Sequence, residues 1–485
     1  MGNLRALIFG LDSSLVAPVL GKLHDEGVFS IARWIVNVSE RNSAFFFHRN
    51  NIEVIEDKFN LNFKQEFLDV VPAWIDERIR PYLPTILQNF ARETFYYRSP
   101  VYEYMNIIQL WTRYFYTRLI RDQINVVVFA DIPHGGFMCV LYAVSKALGL
   151  NTLILTPSGI FGTFGYCFSV EDYGTFTDVP RYRKLPEHFM KVEKTYKKKL
   201  FYMEGDHTPK YKRNLFEKLK FLYSPKDFFR ERKQVFSRSL RKYNTISEFF
   251  SKKVIVNIFD RIEKKQYQEN IIRYTEHNID FDVDYVYFPL HLQPEMTTDT
   301  LGGIYSDQLL AIEKLRAMLP PDWMIYVKEN PKQTKFMRQD YFFKRLKVLP
   351  NVRYVDRSID TYLLLEKSRF VATITGTAGW EAITGGKNAL IFGHIWYESF
   401  PGVFKYYDGM QLDDILSYHI DHDELECAVN CYLEKTSESV FLNEIRNAMP
   451  AFDPEKNAEE LEKFFRFIFS YIKEKRLPKT DSEKE

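Results

Sequence analysis

The chain has 485 residues, 46% of them apolar, and a formal net charge of +2. Length and apolar content together provide for two or three domains with sizeable cores, which excludes a disordered or fibrous protein. Cys139, Cys167, Cys427 and Cys431 form no CxxC pair, which argues against a disulfide framework or a zinc site and for a reducing cytoplasm. Cys427 and Cys431, four residues apart, are expected to be buried on one helix face.

The N-terminus, MGNLRALIFG, lacks the basic and long apolar regions of a secretory signal and reads as a strand over Leu4–Gly10. Ile124–Ala130 reads as a second buried parallel strand, and helices are expected near Ser14–Glu26 and Val101–Arg121. Tyr104–Leu119 is interrupted by arginines and too short to span a bilayer, so any membrane contact is expected to be peripheral. A helix ending at Gly149 and a strand over Asn151–Leu155 complete an α/β alternation. Between the strand ending at Ala130 and that helix lie Asp131, Pro133, His134, Gly135 and Gly136. His134 is expected to project into a cleft, where an imidazole can exchange a proton with an attacking hydroxyl. Asp131 and Glu295 are the carboxylate alternatives, as base or as nucleophile in a covalent route, and a plain helix cap is the non-catalytic reading of His134.

From Arg181 to Lys253 roughly 22 Lys or Arg stand against roughly 8 Asp or Glu, interleaved with Phe and Tyr. No nucleic-acid motif accompanies this stretch. It reads either as a solvated helical insertion with its own aromatic core or as a contact surface for an anionic membrane or an acidic glycan. The tail from Lys473 to Glu485 is charged and lacks apolar anchors.

A second alternation runs from Asp282 to about Gly393, with helices near Ser306–Leu319, Phe336–Leu346 and Ile359–Lys367. Its strand-like runs end in polar groups. Val283–Glu295 ends in His291, Gln293 and Glu295; Trp323–Pro331 ends in Lys328, Glu329 and Asn330; the run at Phe370 leads into TITGTAGWE. In an open parallel sheet ligands gather beyond the carboxyl ends of the strands, so three such clusters point to one shared site. Thr375, Gly376 and Thr377 form a small-residue turn opening a helix, which suits a phosphate, and Glu381, about one turn in, can accept hydrogen bonds from a ribose diol. Without a ligand, Thr375 would simply cap the helix.

The order HLQPE, KENP, TGTAGWEA, NALIFG and HIWYESFPG resembles the bacterial capsule polysaccharide synthesis protein family from about Tyr285 to Gly402, with a weaker similarity at VVVFADIPHGG. That family includes transferases adding β-linked Kdo, an acidic sugar, from CMP-Kdo. The resemblance implies an α/β, GT-B-like protein with two Rossmann-like domains facing a central cleft and a basic helical insertion between them. The corresponding division is 1–180 for an acceptor-side domain, 181–281 for the insertion, 282–455 for a nucleotide-sugar domain and 456–485 for a C-terminal helix and charged tail. It implies a glycosyltransferase of capsule or lipopolysaccharide synthesis at the inner face of the cytoplasmic membrane, with a nucleotide-sugar donor, a glycan or glycolipid acceptor, and neither cofactor nor metal. In that reading Lys328 and the Thr375–Thr377 turn neutralise phosphate, Asn330 meets phosphate or base, and His291 and Gln293 orient the donor sugar. One departure stands out: Asn330 occupies a position that is usually histidine in the family, and an amide cannot carry a proton. The alternatives are a nucleotide-sugar epimerase or hydrolase on the same scaffold, or a non-catalytic glycan-assembly protein.

Overall fold

A computed structural model describes residues 4–37, 52–55, 68–93, 101–160, 162–186, 188–196, 261–447, 449 and 451–476. The core of the basic stretch, including Lys197, Lys198 and Lys199, lies outside them, as do residues 477–485 of the tail.

Two open sheets organise the described chain. The first contains β1 (Arg5–Phe9), β2 (Ser30–Asn37), β3 (Ile52–Ile55), β4 (Val126–Phe129), β5 (Asn151–Pro157) and β6 (Phe164–Cys167) in the order β3-β2-β1-β4-β5-β6. All neighbours are parallel except β5 and β6. The VVVF run of β4 is buried throughout, which is why it carries no polar alternation. The expected helices appear at Ala17–Asp25, Val101–Arg121 and Gly136–Ala147, and Gly149 after the last has φ +70°, a left-handed conformation suited to glycine.

The second sheet holds β7 (Thr275–Glu276), β8 (Tyr285–Pro289), β9 (Met324–Lys328), β10 (Val352–Val355), β11 (Phe370–Thr373), β12 (Ala389–Ile391) and β13 (Val403–Lys405). Its order is β13-β12-β11-β8-β9-β10-β7, all parallel. Both faces are covered. Val286, Phe288, Ile325 and Val327 pack with Ile312 and Phe343 of helices Gln308–Met318 and Asp340–Lys347. The alternate residues Tyr285, Tyr287 and Tyr326 share a second cluster with Leu364 and Ile383 of helices Thr361–Lys367 and Thr377–Thr384. These are two Rossmann-like units, as the alternation of strands and helices implies.

The C-terminal helix, Pro454–Tyr471, returns to the first unit. Phe464 meets Phe164 at 4.9 Å, Phe469 meets Phe29 at 4.3 Å, and Glu462 pairs with Lys22 at 2.7 Å. Cys139 and Cys167 are buried, but Cys427 is exposed and Cys431 only half-buried. The expectation of a buried pair is therefore corrected: on helix His422–Leu433 it is Leu425, Val429, Tyr432 and Leu433 that face the core.

Candidate functional site

In the second sheet the strand order reverses between β8 and β11, with β9, β10 and β7 on one side and β12 and β13 on the other. The loops leaving the carboxyl ends of these two strands thus diverge and leave a crevice. His291 stands in the loop after β8, and the turn from Thr373 to Gly376 follows β11. His291 Nε2 lies 2.9 Å from Thr373 Oγ1 and accepts the amide of Thr375 at 3.3 Å. The amide of Gly376 donates to Thr373 Oγ1 at 3.1 Å. Gly376, not Thr375, caps helix Thr377–Thr384, and it does so without a side-chain bond, so no capping side chain occupies the amides that open the helix. A Cβ at Gly376 would sit 2.5 Å from Thr373 Oγ1; glycine is required there for space.

Several expected donor contacts turn inward instead. Thr375 is 3% exposed, and its hydroxyl donates to the carbonyl of Thr297 at 2.8 Å. Gln293, 3% exposed, donates to the carbonyl of Ser306 at 2.6 Å and accepts from Gln308 Nε2 at 2.8 Å and Arg338 Nη1 at 3.3 Å. Its side chain is consumed in holding the loop, so the assignment of Gln293 to the donor sugar is corrected. Lys328 Nζ donates to Thr361 Oγ1 at 2.7 Å and to the carbonyl of Ile359, and burial lowers its pKa. Asn330 Oδ1 accepts the amide of Lys332 at 2.9 Å, closing a local turn and leaving its NH2 group as the part available outward. Thr377 is half-buried at the start of the helix.

Glu381 is 4% exposed on the same helix, and burial alone pushes its carboxyl up to about 8. It lies within electrostatic range of Tyr287 and Tyr362, and the Tyr287 phenol is hydrogen-bonded to Thr361. Thr361 thus links Lys328 to the wall beside Glu381.

The first sheet has its own reversal between β1 and β4. There a cavity of about 380 Å³ is lined by Asp12, Arg92, Asp131 and His134 together with the rings of Phe9 and Phe137. His134 Nδ1 is 2.6 Å from the carbonyl of Ile132. A carbonyl only accepts, so Nδ1 carries the proton and Nε2 is the basic nitrogen of the neutral ring. Asp131 Oδ1 accepts the amide of Ile132 at 2.7 Å, Oδ2 lies 3.9 Å from His134 Nδ1, and burial raises the pKa of the carboxyl.

The helix Met296–Asp299 forms the wall between the two sites, and exposed Glu295 caps its start. Thr297 contacts the donor-side turn through Thr375, whereas Thr300 donates to the carbonyl of Pro133 at 3.0 Å. Asp299, 2% exposed, is raised to about 6 by burial, opposed chiefly by Arg92, whose guanidinium also bonds the carbonyl of His134. Sequence patterns did not single out Arg92, Asp299, Arg338 or Thr361, because none stands at the end of an apolar run, and Asp12, which follows β1, was also missed although the strand-end rule could have found it. Among the described residues no group of three or more His, Cys, Asp or Glu side chains could hold a metal ion, and no helix is long and apolar enough to cross a membrane.

Two Rossmann-like units with polar sites at facing switch points define a protein of the GT-B class of folds. Residues 229–407 match the family model described as capsule polysaccharide biosynthesis protein, and over this segment the chain is similar to that family. Among solved structures it is similar to the β-Kdo 2,7 transferase of Thermosulfurimonas dismutans KpsC, with 12% identity, 70% of this chain and 85% of that chain covered, and a TM-score of 0.29. The β-Kdo 2,4 transferase of the same protein gives 12% identity, 63% and 79% coverage and a TM-score of 0.27. A UDP-GlcNAc 2-epimerase from Methanocaldococcus jannaschii gives 11% identity, 97% and 100% coverage and a TM-score of 0.22. No curated protein matches the sequence.

Proposed function

We propose that this protein is a glycosyltransferase of bacterial capsule or lipopolysaccharide synthesis that moves Kdo or a related acidic sugar from a CMP donor onto a glycan or glycolipid. The observation that carries this reading is the pair of sites on either side of helix Met296–Asp299, one with open helix amides and one with a basic imidazole. The donor phosphate sits on the amides at the start of helix Thr377–Thr384, where negative charge grows as the glycosidic bond breaks. Lys328 adds positive potential from beneath, Glu381 meets the ribose, and the Asn330 NH2 group donates to phosphate or base. Across the wall, His134 Nε2 takes the proton of the acceptor hydroxyl as it attacks, and Asp131 steadies the resulting imidazolium. If the reaction proceeds through a covalent adduct, Asp131 or Glu295 is the attacking carboxylate instead. In this reading the helix terminus and Lys328 supply the positive potential, and no cofactor beyond the donor takes part.

A lipid-linked acceptor would bring the basic stretch of residues 181–253 to an anionic membrane face, each Lys or Arg contributing on the order of 1 kcal/mol near the surface. The test of function is a thermal-shift screen of CMP, UDP, GDP and their sugars, followed by turnover with and without glycan acceptors. Acceptor-dependent loss of donor is expected. Stoichiometric conversion of donor alone would mark an epimerase or hydrolase, and nucleotide binding without turnover on any acceptor would mark an assembly protein.

A further inference from the structure

Beneath the phosphate turn lies a layer of buried polar groups. Arg338 and Glu329 form an ion pair with side chains 1% and 0% exposed, Nε to Oε2 at 2.8 Å and Nη2 to Oε1 at 3.3 Å. Arg338 Nη2 also donates to the carbonyl of His291 at 3.1 Å. Gln308 grips the same residue from the other side, accepting its amide at 2.7 Å and donating to its carbonyl at 3.1 Å. The backbone of His291 is therefore held by both neighbouring elements, and its ring is delivered to one place. There the amide of Thr375 is aimed at Nε2, as is the hydroxyl of Thr373. An N–H aimed at a nitrogen requires a lone pair on it, so Nε2 is unprotonated and the ring proton is on Nδ1.

We propose that His291 is a positioning residue whose Nε2 lone pair fixes the Thr373–Gly376 turn in its anion-accepting form, and that Arg338 with Glu329 sets His291 for this task. The chain of bonds supports it step by step. Thr373 donates to Nε2 and accepts the amide of Gly376, the residue that caps the helix without a side-chain bond. A Cβ at Gly376 would collide with Thr373 Oγ1 at 2.5 Å and would crowd His291 Cε1 and Nε2 at 3.1 and 3.2 Å, so imidazole, threonine and turn are fitted to one another. Burial of the ring, and after it the charge of Arg338, pushes the imidazole down to about 4, which keeps the lone pair in place at neutral pH. His291 thus acts on the donor through the turn, and not as a contact to the donor sugar. The role of the turn as donor phosphate site rests on the function proposed above; the pin itself does not.

The test compares His291→Gln, whose Oε1 can stand where Nε2 does and accept the same donors, with His291→Phe, which cannot. CMP affinity by calorimetry is expected to fall about 10- to 100-fold in the Phe variant, the effect of stranding an enclosed amide, and to stay within about threefold of wild type in the Gln variant. Hydrogen exchange at Thr375 and Gly376 should accelerate only in the Phe variant, and ¹⁵N shifts should show His291 as the Nδ1–H tautomer. The double variant Arg338→Met/Glu329→Gln, which leaves no unpaired buried charge, should speed exchange at the same two amides. A proton on Nε2 would overturn the proposal, as would loss of turnover in the Gln variant with both amides still protected, which would put His291 on the substrate. If wild type bound no nucleotide, the donor reading would fail while exchange and ¹⁵N shifts still decided the pin.

Discussion

Thr300 donates its hydroxyl to the carbonyl of Pro133 at 3.0 Å, and Asn89 Nδ2 donates to Thr300 Oγ1 at 3.2 Å. This contact ties the loop of the second unit to the residue preceding His134, so the wall between donor and acceptor sites is fixed from both sides. Thr300→Val keeps the shape and removes the bonds. It is expected to cost about 1 kcal/mol of stability and to lower turnover several-fold, with CMP affinity unchanged. Denaturant titration and steady-state kinetics check this, and unchanged turnover would remove the contact from the account of catalysis.

Lys328→Ala should weaken CMP binding by about 1 to 3 kcal/mol, the scale of a lost charge-assisted hydrogen bond, and Glu381→Ala, whose carboxyl keeps its proton up to about pH 8, by about 0.5 to 1.5 kcal/mol, the scale of a neutral one. The loss in the lysine variant includes the displaced bond to Thr361. Calorimetry on both variants is the measurement, and unchanged affinity in both would place the nucleotide elsewhere.

His134→Ala should lower turnover about 100-fold or more while leaving donor affinity nearly intact, because a proton transfer is lost from the transition state and not from the bound donor. Asp131→Asn and Glu295→Gln belong in the same series. Full activity of the His134 variant would transfer the role to one of those carboxylates.

The buried carboxyl of Glu381 makes stability depend on pH. Its folded pKa, about 8, lies above the ordinary value of 4.5, so the folded chain holds the proton more tightly than the unfolded chain. The stability this provides is fully present below pH 4.5 and is lost as pH rises towards about 8, at most about 1.4 kcal/mol per pH unit. Glu381→Gln should remove that slope. Melting curves from pH 5 to 8 should show a gain for the variant that grows with pH, and parallel curves would show that Glu381 titrates normally.

Apolar strand-like runs marked β1, β4, β8, β9 and β11 in the sequence, the last four of them with polar groups at their ends, since a parallel strand buried on both faces must be apolar along its length. The same rule marked the turn at Thr373–Thr377, His134 and Glu381. The short strands β7, β10 and β13 escaped it: β13 forms one edge of the sheet, β7 the other with β10 beside it, and two to four residues carry too little pattern to read.

What the sequence determined by itself was the chemistry available at each strand end: an imidazole, a lysine, carboxylates and a small-residue turn. It also carried the family likeness over residues 229–407. Which of these groups face the crevice was decided only by tertiary structure. Gln293 and Thr375 read like ligands in the sequence, yet they are spent on Ser306, Gln308 and Thr297. Arg92, Arg338 and Asp299, silent in the sequence, stand at the sites because helix Leu83–Glu93, the loop before helix Asp340–Lys347 and the short helix Met296–Asp299 are folded together there. A polar side chain near a strand end can satisfy its hydrogen bonds with ligand or with protein, and the choice rests on partners far along the chain, 167 residues for Thr300 and Pro133, which no local pattern records.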